Sequence, residues 1–128
     1  MAHILVIDDD VQICDMLTGL LEYDNHLVTV AHNGQEGLRL FQETSPDLII
    51  TDIIMPEKDG LEIISLLQRL DSSVPIVAMS GGGRHSSSSD NLSLAKCLGA
   101  NAVLTKPFTK DELYQAIVTA LTQNGTDG

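Results

Sequence analysis

Aromatic and basic side chains are both scarce in this sequence. Phe, Trp and Tyr make up 3% of its 128 residues, whereas hydrophobic residues as a whole make up 43%. The core is therefore expected to be aliphatic, built from Val, Ile, Leu and Ala. Only 7 Lys and Arg residues oppose 18 Asp and Glu residues, which gives a formal net charge of −11. Because an acidic surface repels nucleic acid and anionic lipid, we expect neither as a direct partner.

Long hydrophobic runs are also missing. Acidic residues such as Asp8, Glu22 and Asp52 interrupt each apolar run before it reaches the length of a membrane span. The start of the sequence has no basic segment of the kind that opens a signal peptide. We therefore expect a cytoplasmic protein.

Cysteine is too rare, and too poorly spaced, for a disulfide framework or a zinc site. Cys14 and Cys97 share no ligand spacing with each other or with His, and both are expected to be buried, reduced thiols. The length fits a single domain. We expect that domain to cover residues 1–122 and residues 123–128 to form a frayed tail.

What the sequence does contain is a regular alternation of short apolar segments with amphipathic ones. The predicted strands cover residues 3–7, 27–31, 48–51, 75–79 and 102–105, and the predicted helices cover residues 11–23, 34–44, 61–70, 91–98 and 110–121. Asp10 or Asp9, Asn33 and Thr109 are the predicted helix caps. Strands that are apolar on both faces and separated by helices predict a parallel sheet covered on both sides. The fold class is thus α/β: a doubly wound, flavodoxin-like five-stranded sheet with strand order 2-1-3-4-5 and helices on both faces.

Polar residues of reactive types follow four of the five predicted strands. Asp8 and Asp9 follow the first strand, Asp52 the third, Ser80 the fourth and Lys106 the fifth. The carboxyl ends of parallel strands lie at one edge of a sheet, so these residues should converge. Clustered carboxylates repel one another unless a cation intervenes, and Mg²⁺ prefers carboxylate, water and phosphate oxygens. With a lysine and a hydroxyl beside them, the acids predict a phosphoryl-transfer site in which a carboxylate is the nucleophile.

Each of these residues also has an ordinary structural explanation. The acidic run at 8–10 suits a helix cap, and both Asp52 and the Lys106-Pro107 pair suit turns. Their joint occurrence at four strand ends favours the functional explanation. An enzymatic alternative is a Mg²⁺-dependent phosphohydrolase with an aspartyl nucleophile. Such an enzyme normally has an acid two residues after the nucleophile, where Ile54 stands here, and a cap domain for which this chain is too short.

The chain resembles the receiver domain of bacterial two-component response regulators, the CheY-like family. The resemblance extends over residues 3–121 and rests on four segments: ILVIDDD at 4–10, DLIITDIIMPEKDGLEII at 47–64, PIVAMSG at 75–81 and GANAVLTKPF at 99–108. It implies a phosphoacceptor signalling switch rather than an enzyme. The implied partners are a sensor histidine kinase and a downstream protein partner or output domain. The implied assembly is a monomer or a weak, phosphorylation-dependent dimer.

The resemblance also implies a role for individual residues. By position, Asp52 resembles the phosphorylated aspartate, Lys106 the phosphate-binding lysine and Ser80 the switch hydroxyl. At the metal site, Asp9 resembles the direct Mg²⁺ ligand and Asp8 its neighbour that acts largely through water. Ile54 resembles the residue whose backbone carbonyl completes the metal site. In the family the bond matching Lys106–Pro107 is cis. A receiver-like binding module that is never phosphorylated remains an alternative, although the intact acids, hydroxyl and lysine argue against it.

Two features depart from the family pattern. Val103 stands where the family usually has Tyr or Phe, so the usual aromatic signalling route through the last strand is in doubt. The Gly- and Ser-rich segment at 81–90 is longer than usual. It is either a tolerated surface insertion or a segment that phosphorylation or a partner orders. The chain itself is expected to be a stand-alone receiver or the receiver of a longer protein.

Overall fold

The computed structural model describes residues 2–53, 60–71, 73–81, 96 and 99–126. The strands are β1 (His3–Ile7), β2 (Leu27–Ala31), β3 (Leu48–Asp52), β4 (Ile76–Gly81) and β5 (Ala102–Lys106). The helices are α1 (Val11–Tyr23), α2 (Gly34–Thr44), α3 (Gly60–Leu70) and α4 (Lys110–Thr126). The helix predicted at 91–98 falls outside these ranges except for Lys96. Among the described helices, none has both the length and the apolar character that crossing a membrane would require.

All four pairings in the sheet are parallel, and the strands lie in the order β2-β1-β3-β4-β5. The predicted fold and strand order are therefore confirmed. The register places Ile7 opposite both Ala31 and Thr51, and Thr51 opposite Ala78. Because these residues share one level across the sheet, the residues that follow them on neighbouring strands meet at one edge.

Two aliphatic cores cover the two faces of the sheet. Along β1, Ile4 and Val6 belong to one core, and Leu5 and Ile7 belong to the other, as the alternation of side chains along a strand requires. The first core contains the buried residues of α1 and α4. The second contains those of α2 and α3. Because both faces of the sheet are covered, its polar groups can reach solvent at the ends of the strands.

Polar caps fix the starts of three helices. The Asp10 carboxylate accepts hydrogen bonds from the first-turn amides of α1, including that of Gln12 at 2.9 Å. Asn33 caps α2 in the same way. At α4, the Thr109 hydroxyl accepts from the Glu112 amide and the Glu112 carboxylate accepts from the Thr109 amide, which is a capping box. These caps fix where the chain turns away from the sheet edge.

Several predicted strands, and the last predicted helix, ended too early. β3 includes Asp52, β4 includes Ser80 and Gly81, and β5 includes Lys106, so these reactive residues lie within strand ends, whereas Asp8 and Asp9 follow β1 as predicted. The pairing of β3 with β4 even continues past Asp52, since the amide of Ile53 donates to the Met79 carbonyl at 2.9 Å. α4 runs to Thr126, and residues 123–126, predicted to fray, continue the helix.

Candidate functional site

The carboxyl edge of the sheet brings three aspartates together. The Asp8 amide donates to the Ala31 carbonyl at 3.0 Å, which extends the β1–β2 pairing and fixes Asp8 at the edge. Asp8 is fully buried, Asp52 is 5% exposed, and Asp9 is exposed. One oxygen from each of these carboxylates lies within 4.8 Å of the others. The acid cluster is thus open to solvent on the side of Asp9.

Lys106 reaches this cluster from β5. Its ammonium lies 2.8 Å from Oδ2 of Asp8 and 3.4 Å from Oδ1 of Asp52. The other oxygen of Asp8, Oδ1, accepts from the Asp10 amide at 2.9 Å. The bond between Lys106 and Pro107 is cis. The structure therefore unites four of the residues that the sequence predicted to converge, the three aspartates and the lysine.

Ser80 lies at the same edge, on the strand next to Asp52. It follows Met79, which pairs with Asp52, and it is 1% exposed. Its hydroxyl donates to the carbonyl of Gly81 at 3.2 Å, within its own strand. The remaining predicted member, the backbone carbonyl of Ile54, lies outside the described residues.

The electrostatics of the site follow from burial and from the lysine. Burial raises the pKa of Asp52 to about 6; the Lys106 ammonium lowers it in part, and the Asp8 carboxylate raises it further. For Lys106, burial by itself lowers the pKa, but the hydrogen bond to Asp8 and the charge of Asp52 outweigh it. The pKa of Lys106 therefore lies above its ordinary value, and the lysine stays charged at neutral pH.

Cys14 is a neighbour of the site that sequence reasoning treated only as a small hydrophobe. Its thiol is buried, as predicted, and lies 3.3 Å from the backbone carbonyl of Asp8, to which it donates. Burial raises the pKa of Cys14 to about 11, with the charge of Asp8 as the next cause. The contact depends on how α1 packs against the end of β1, and no spacing in the sequence signals it. Cys97 lies outside the described residues.

The donor set fits a hard divalent cation. Three carboxylates offer only oxygen ligands, and the exposed side at Asp9 leaves room for water and for a phosphate oxygen, which is the coordination that Mg²⁺ prefers. A cation bound there would favour the carboxylate form of Asp52, whose pKa burial raises. Chemically, the arrangement combines an oxygen nucleophile with positive charge placed to receive phosphoryl oxygens.

Val103 lies away from this cluster, on the edge strand β5. Its half-buried side chain packs against the core formed with α2 and α3. A groove of about 510 Å³ runs between β5 and α4, with Val103, Leu104 and Ala116 among its apolar lining and Asp111 and Glu112 among its polar lining. The lining comes from β5, α4 and Lys96, so this groove is separate from the acidic edge.

Comparison with known proteins agrees with the geometry. The family described as "Response regulator receiver domain" matches residues 4–118. The chain is 31% identical over 120 residues to the chemotaxis protein CheY of Halobacterium salinarum, covering 94% of this chain and 97% of that protein. It is 36% identical over 124 residues to the uncharacterized transcriptional regulatory protein YkoG of Bacillus subtilis, covering 97% of this chain and 53% of the relative.

Solved structures show the same likeness. A response regulator receiver domain protein from Clostridium thermocellum superimposes with a TM-score of 0.88 at 35% identity, covering 100% of both chains. The chain spans about half the length, or less, of several transcriptional regulatory proteins that it matches. With its parallel sheet in the order 2-1-3-4-5 and its acids and lysine gathered at one edge, the chain belongs to the family of response regulator receiver domains.

Proposed function

We propose that this receiver domain is a phosphoacceptor switch in which Asp52 takes up a phosphoryl group from a sensor histidine kinase. The observation that carries the proposal is the position of Lys106, whose ammonium lies between Asp8 and Asp52. A cation at that place can stabilise the negative charge of a phosphoryl group transferred to Asp52. The phosphorylated form then regulates a downstream protein partner or an output domain.

Transfer requires an oxygen of the Asp52 carboxylate to attack phosphorus in line with the leaving group. The new bond joins that oxygen to phosphorus while the phosphorus–nitrogen bond of the kinase phosphohistidine breaks. The electron pair of the broken bond returns to that nitrogen, and the ring leaves as neutral imidazole because its other nitrogen carries the proton. Because this chain contributes the nucleophile and receives the group itself, it acts as a phosphoacceptor rather than as an enzyme that turns over a separate substrate.

Asp8, Asp9 and Asp52 would hold Mg²⁺, together with the backbone carbonyl of Ile54. The bound ion supplies charge neutralisation for the transferred phosphoryl oxygens. Asp8 also positions Lys106, because it is fully buried and accepts hydrogen bonds from both Lys106 and the Asp10 amide. It therefore holds the lysine ammonium beside Asp52, 3.4 Å from Oδ1 of that carboxylate.

Ser80 is proposed to report the modification. In the free protein its buried hydroxyl donates to the Gly81 carbonyl, and a phosphoryl oxygen on Asp52 would offer a charged, stronger acceptor. Turning the hydroxyl toward that acceptor removes the Ser80 hydrogen bond from the Gly81 carbonyl at the end of β4. The acyl phosphate thereby shifts the equilibrium between the inactive and active forms of the domain.

The partners are proposed to be proteins. The net charge of −11 opposes direct binding of nucleic acid by this domain. The relatives named as transcriptional regulatory proteins are longer than this chain, so contact with DNA would be made by other domains. A phosphorylation-dependent, weak dimer is compatible with this role.

Intact mass after incubation with acetyl phosphate and Mg²⁺ tests the proposal. We expect the wild type to gain one phosphoryl group and Asp52→Asn to gain none. Asp15→Asn is the control, because Asp15 is an exposed aspartate of α1, and it should be labelled like the wild type. The label should be removed by hydroxylamine, which cleaves acyl phosphates. Equal labelling of Asp52→Asn would refute the assignment.

A further inference from the structure

The outer edge of β2 has no charged residue, proline or bulge, three of the features that commonly protect an edge strand. The strand reads LVTVA, with no charged residue and no proline, and pairs with β1 in unbroken register. Its first residue, Leu27, is 58% exposed. Within the part of the chain that the structure describes, β1 is the only strand that pairs with β2. Unprotected edges of this kind are templates for pairing with another strand.

The backbone groups that point outward can be assigned from the β1–β2 ladder. The Leu27 amide donates to the Ala2 carbonyl at 2.9 Å, and the Ala31 carbonyl accepts from the Asp8 amide at 3.0 Å. Leu27, Thr29 and Ala31 therefore direct their backbone groups toward β1. Because successive residues of a strand alternate in direction, Val28 and Val30 direct their amides and carbonyls toward the free edge.

We propose that this edge pairs with the β2 edge of a second copy of the chain, in antiparallel orientation about a two-fold axis at Thr29. In that register Val28 faces Val30 of the second copy, and Val30 faces Val28 of the second copy. Each such pair exchanges two hydrogen bonds. All four outward backbone groups of each copy are then satisfied, so the edge is complementary to itself, as a two-fold interface requires.

The side chains suit the same register. The two Thr29 residues meet at the axis as a closely spaced pair of β-branched residues, which stabilises antiparallel strands. Thr29 is held in place by a 2.7 Å hydrogen bond to the His3 ring. The exposed side chain of Leu27 comes to lie beside Ala31 of the second copy, which removes apolar surface from water. No charge within either strand opposes the pairing.

The expected dimer is weak and favoured by salt. A pair of five-residue strands buries much less surface than the roughly 1,600 Å² of a stable interface. Two copies with a net charge of −11 each also repel one another, and added salt screens this repulsion. The dimer does not involve the acid cluster and should therefore form without phosphorylation.

Sedimentation velocity from about 20 µM to about 1 mM protein is the test, since a weak interface is populated only in the upper part of that range. We expect the average mass to rise with protein and salt concentration, and to rise equally in Asp52→Asn. Over the same range, amide exchange at Val28 and Val30 should slow. Leu27→Lys places a charge on the edge and should keep the protein monomeric.

Two further variants test whether dimerisation depends on the β2 edge. Val118→Lys makes the same kind of change on α4 at a residue that is 57% exposed, and should dimerise like the wild type. Val30→Pro deletes an outward amide without removing one that pairs with β1, and should also be monomeric. A monomeric mass at every concentration would overturn the proposal. So would a dimer that survives both Leu27→Lys and Val30→Pro, or one that only Val118→Lys abolishes.

Discussion

Lys106 and Asp8 form a direct ion pair at 2.8 Å although 98 positions separate them in the chain. Asp8 is fully buried, and the lysine side chain is only 17% exposed. Lys106 therefore has a structural role as well as a chemical one. The ammonium that would bind phosphate also neutralises a buried carboxylate.

Replacing Lys106 with Ala should destabilise the free protein by roughly 1 to 3 kcal/mol, because Asp8 loses its charged partner while it stays buried. Saturating Mg²⁺ should restore part of that loss. Lys96→Ala is the control, since Lys96 is exposed and away from the acid cluster, and it should change stability little. Urea unfolding with and without Mg²⁺ measures both. Equal, small losses in the two variants would mean that the pair with Asp8 contributes nothing to the fold.

The raised pKa of Asp52 predicts a pH-dependent contribution to stability. Its value of about 6 in the folded protein lies above the ordinary value of 3.8, so the folded state binds the proton more tightly than the unfolded state. The contribution of Asp52 is then fully present below about pH 4 and is lost as the pH rises through about 6. Relative to Asp52→Asn, the free wild type should gain on the order of 2 kcal/mol as the pH falls from 7 to 4.

Unfolding of the two proteins across this pH range, without divalent ions, checks the sign. The difference between them isolates Asp52 from the other carboxyl groups. A difference that stays constant with pH would show that burial does not perturb Asp52.

Asp9 is predicted to matter for the metal and not for the fold. Because Asp9 is the exposed member of the cluster, Asp9→Ala should weaken Mg²⁺ binding by about tenfold or more and leave the free protein as stable as before or slightly more stable. Calorimetric titration with Mg²⁺ measures the affinity. Asp15→Ala removes an exposed aspartate elsewhere on the chain and should bind Mg²⁺ normally. Unchanged affinity in Asp9→Ala would exclude Asp9 as a ligand.

Two helical glycines should respond in opposite ways to substitution by Ala. A Cβ at Gly37 of α2 would lie 2.5 Å from Cδ1 and 2.9 Å from Cγ1 of Ile7, which is fully buried. A Cβ at Gly19 of α1 meets nothing within 4 Å. Gly37→Ala should therefore cost about 1 to 3 kcal/mol, and Gly19→Ala should gain about 0.5 to 1 kcal/mol. Thermal unfolding of both variants provides the comparison, and destabilisation by both would contradict it.

The sheet order and the acid cluster could be predicted because they depend on patterns that the sequence displays directly. Apolar segments without polar interruption indicate buried parallel strands, and Asp52 and Lys106 stand at the ends of such segments. Which aspartate is buried could not be predicted. Asp8 and Asp9 are adjacent and identical in type, and Asp8 is the one whose amide continues the β1–β2 pairing. The contact of the Cys14 thiol with Asp8 depends on the packing of α1 against the end of β1.

Strand ends were harder to predict than strand centres for a physical reason. The pairing of β3 with β4 extends past Asp52 through the amide of Ile53, and the backbone makes this bond whatever the side chain. Polarity at Asp52, Ser80 and Lys106 therefore indicated loops, although the backbone there still belongs to the sheet. At the other end of β4, Pro75 has no amide to donate, and the strand begins one residue later, at Ile76.

The strand order also bears on how the chain can be built during synthesis. β1 lies between β2 and β3, and each later strand adds beside one that the ribosome has already released. None of the five described strands has to enter between two others, so the sheet can grow outward as the chain emerges. Its last strand carries Lys106. Until β5 docks, the nascent domain holds Asp8 without its cationic partner, and the strand that completes the sheet also brings the lysine that pairs with it.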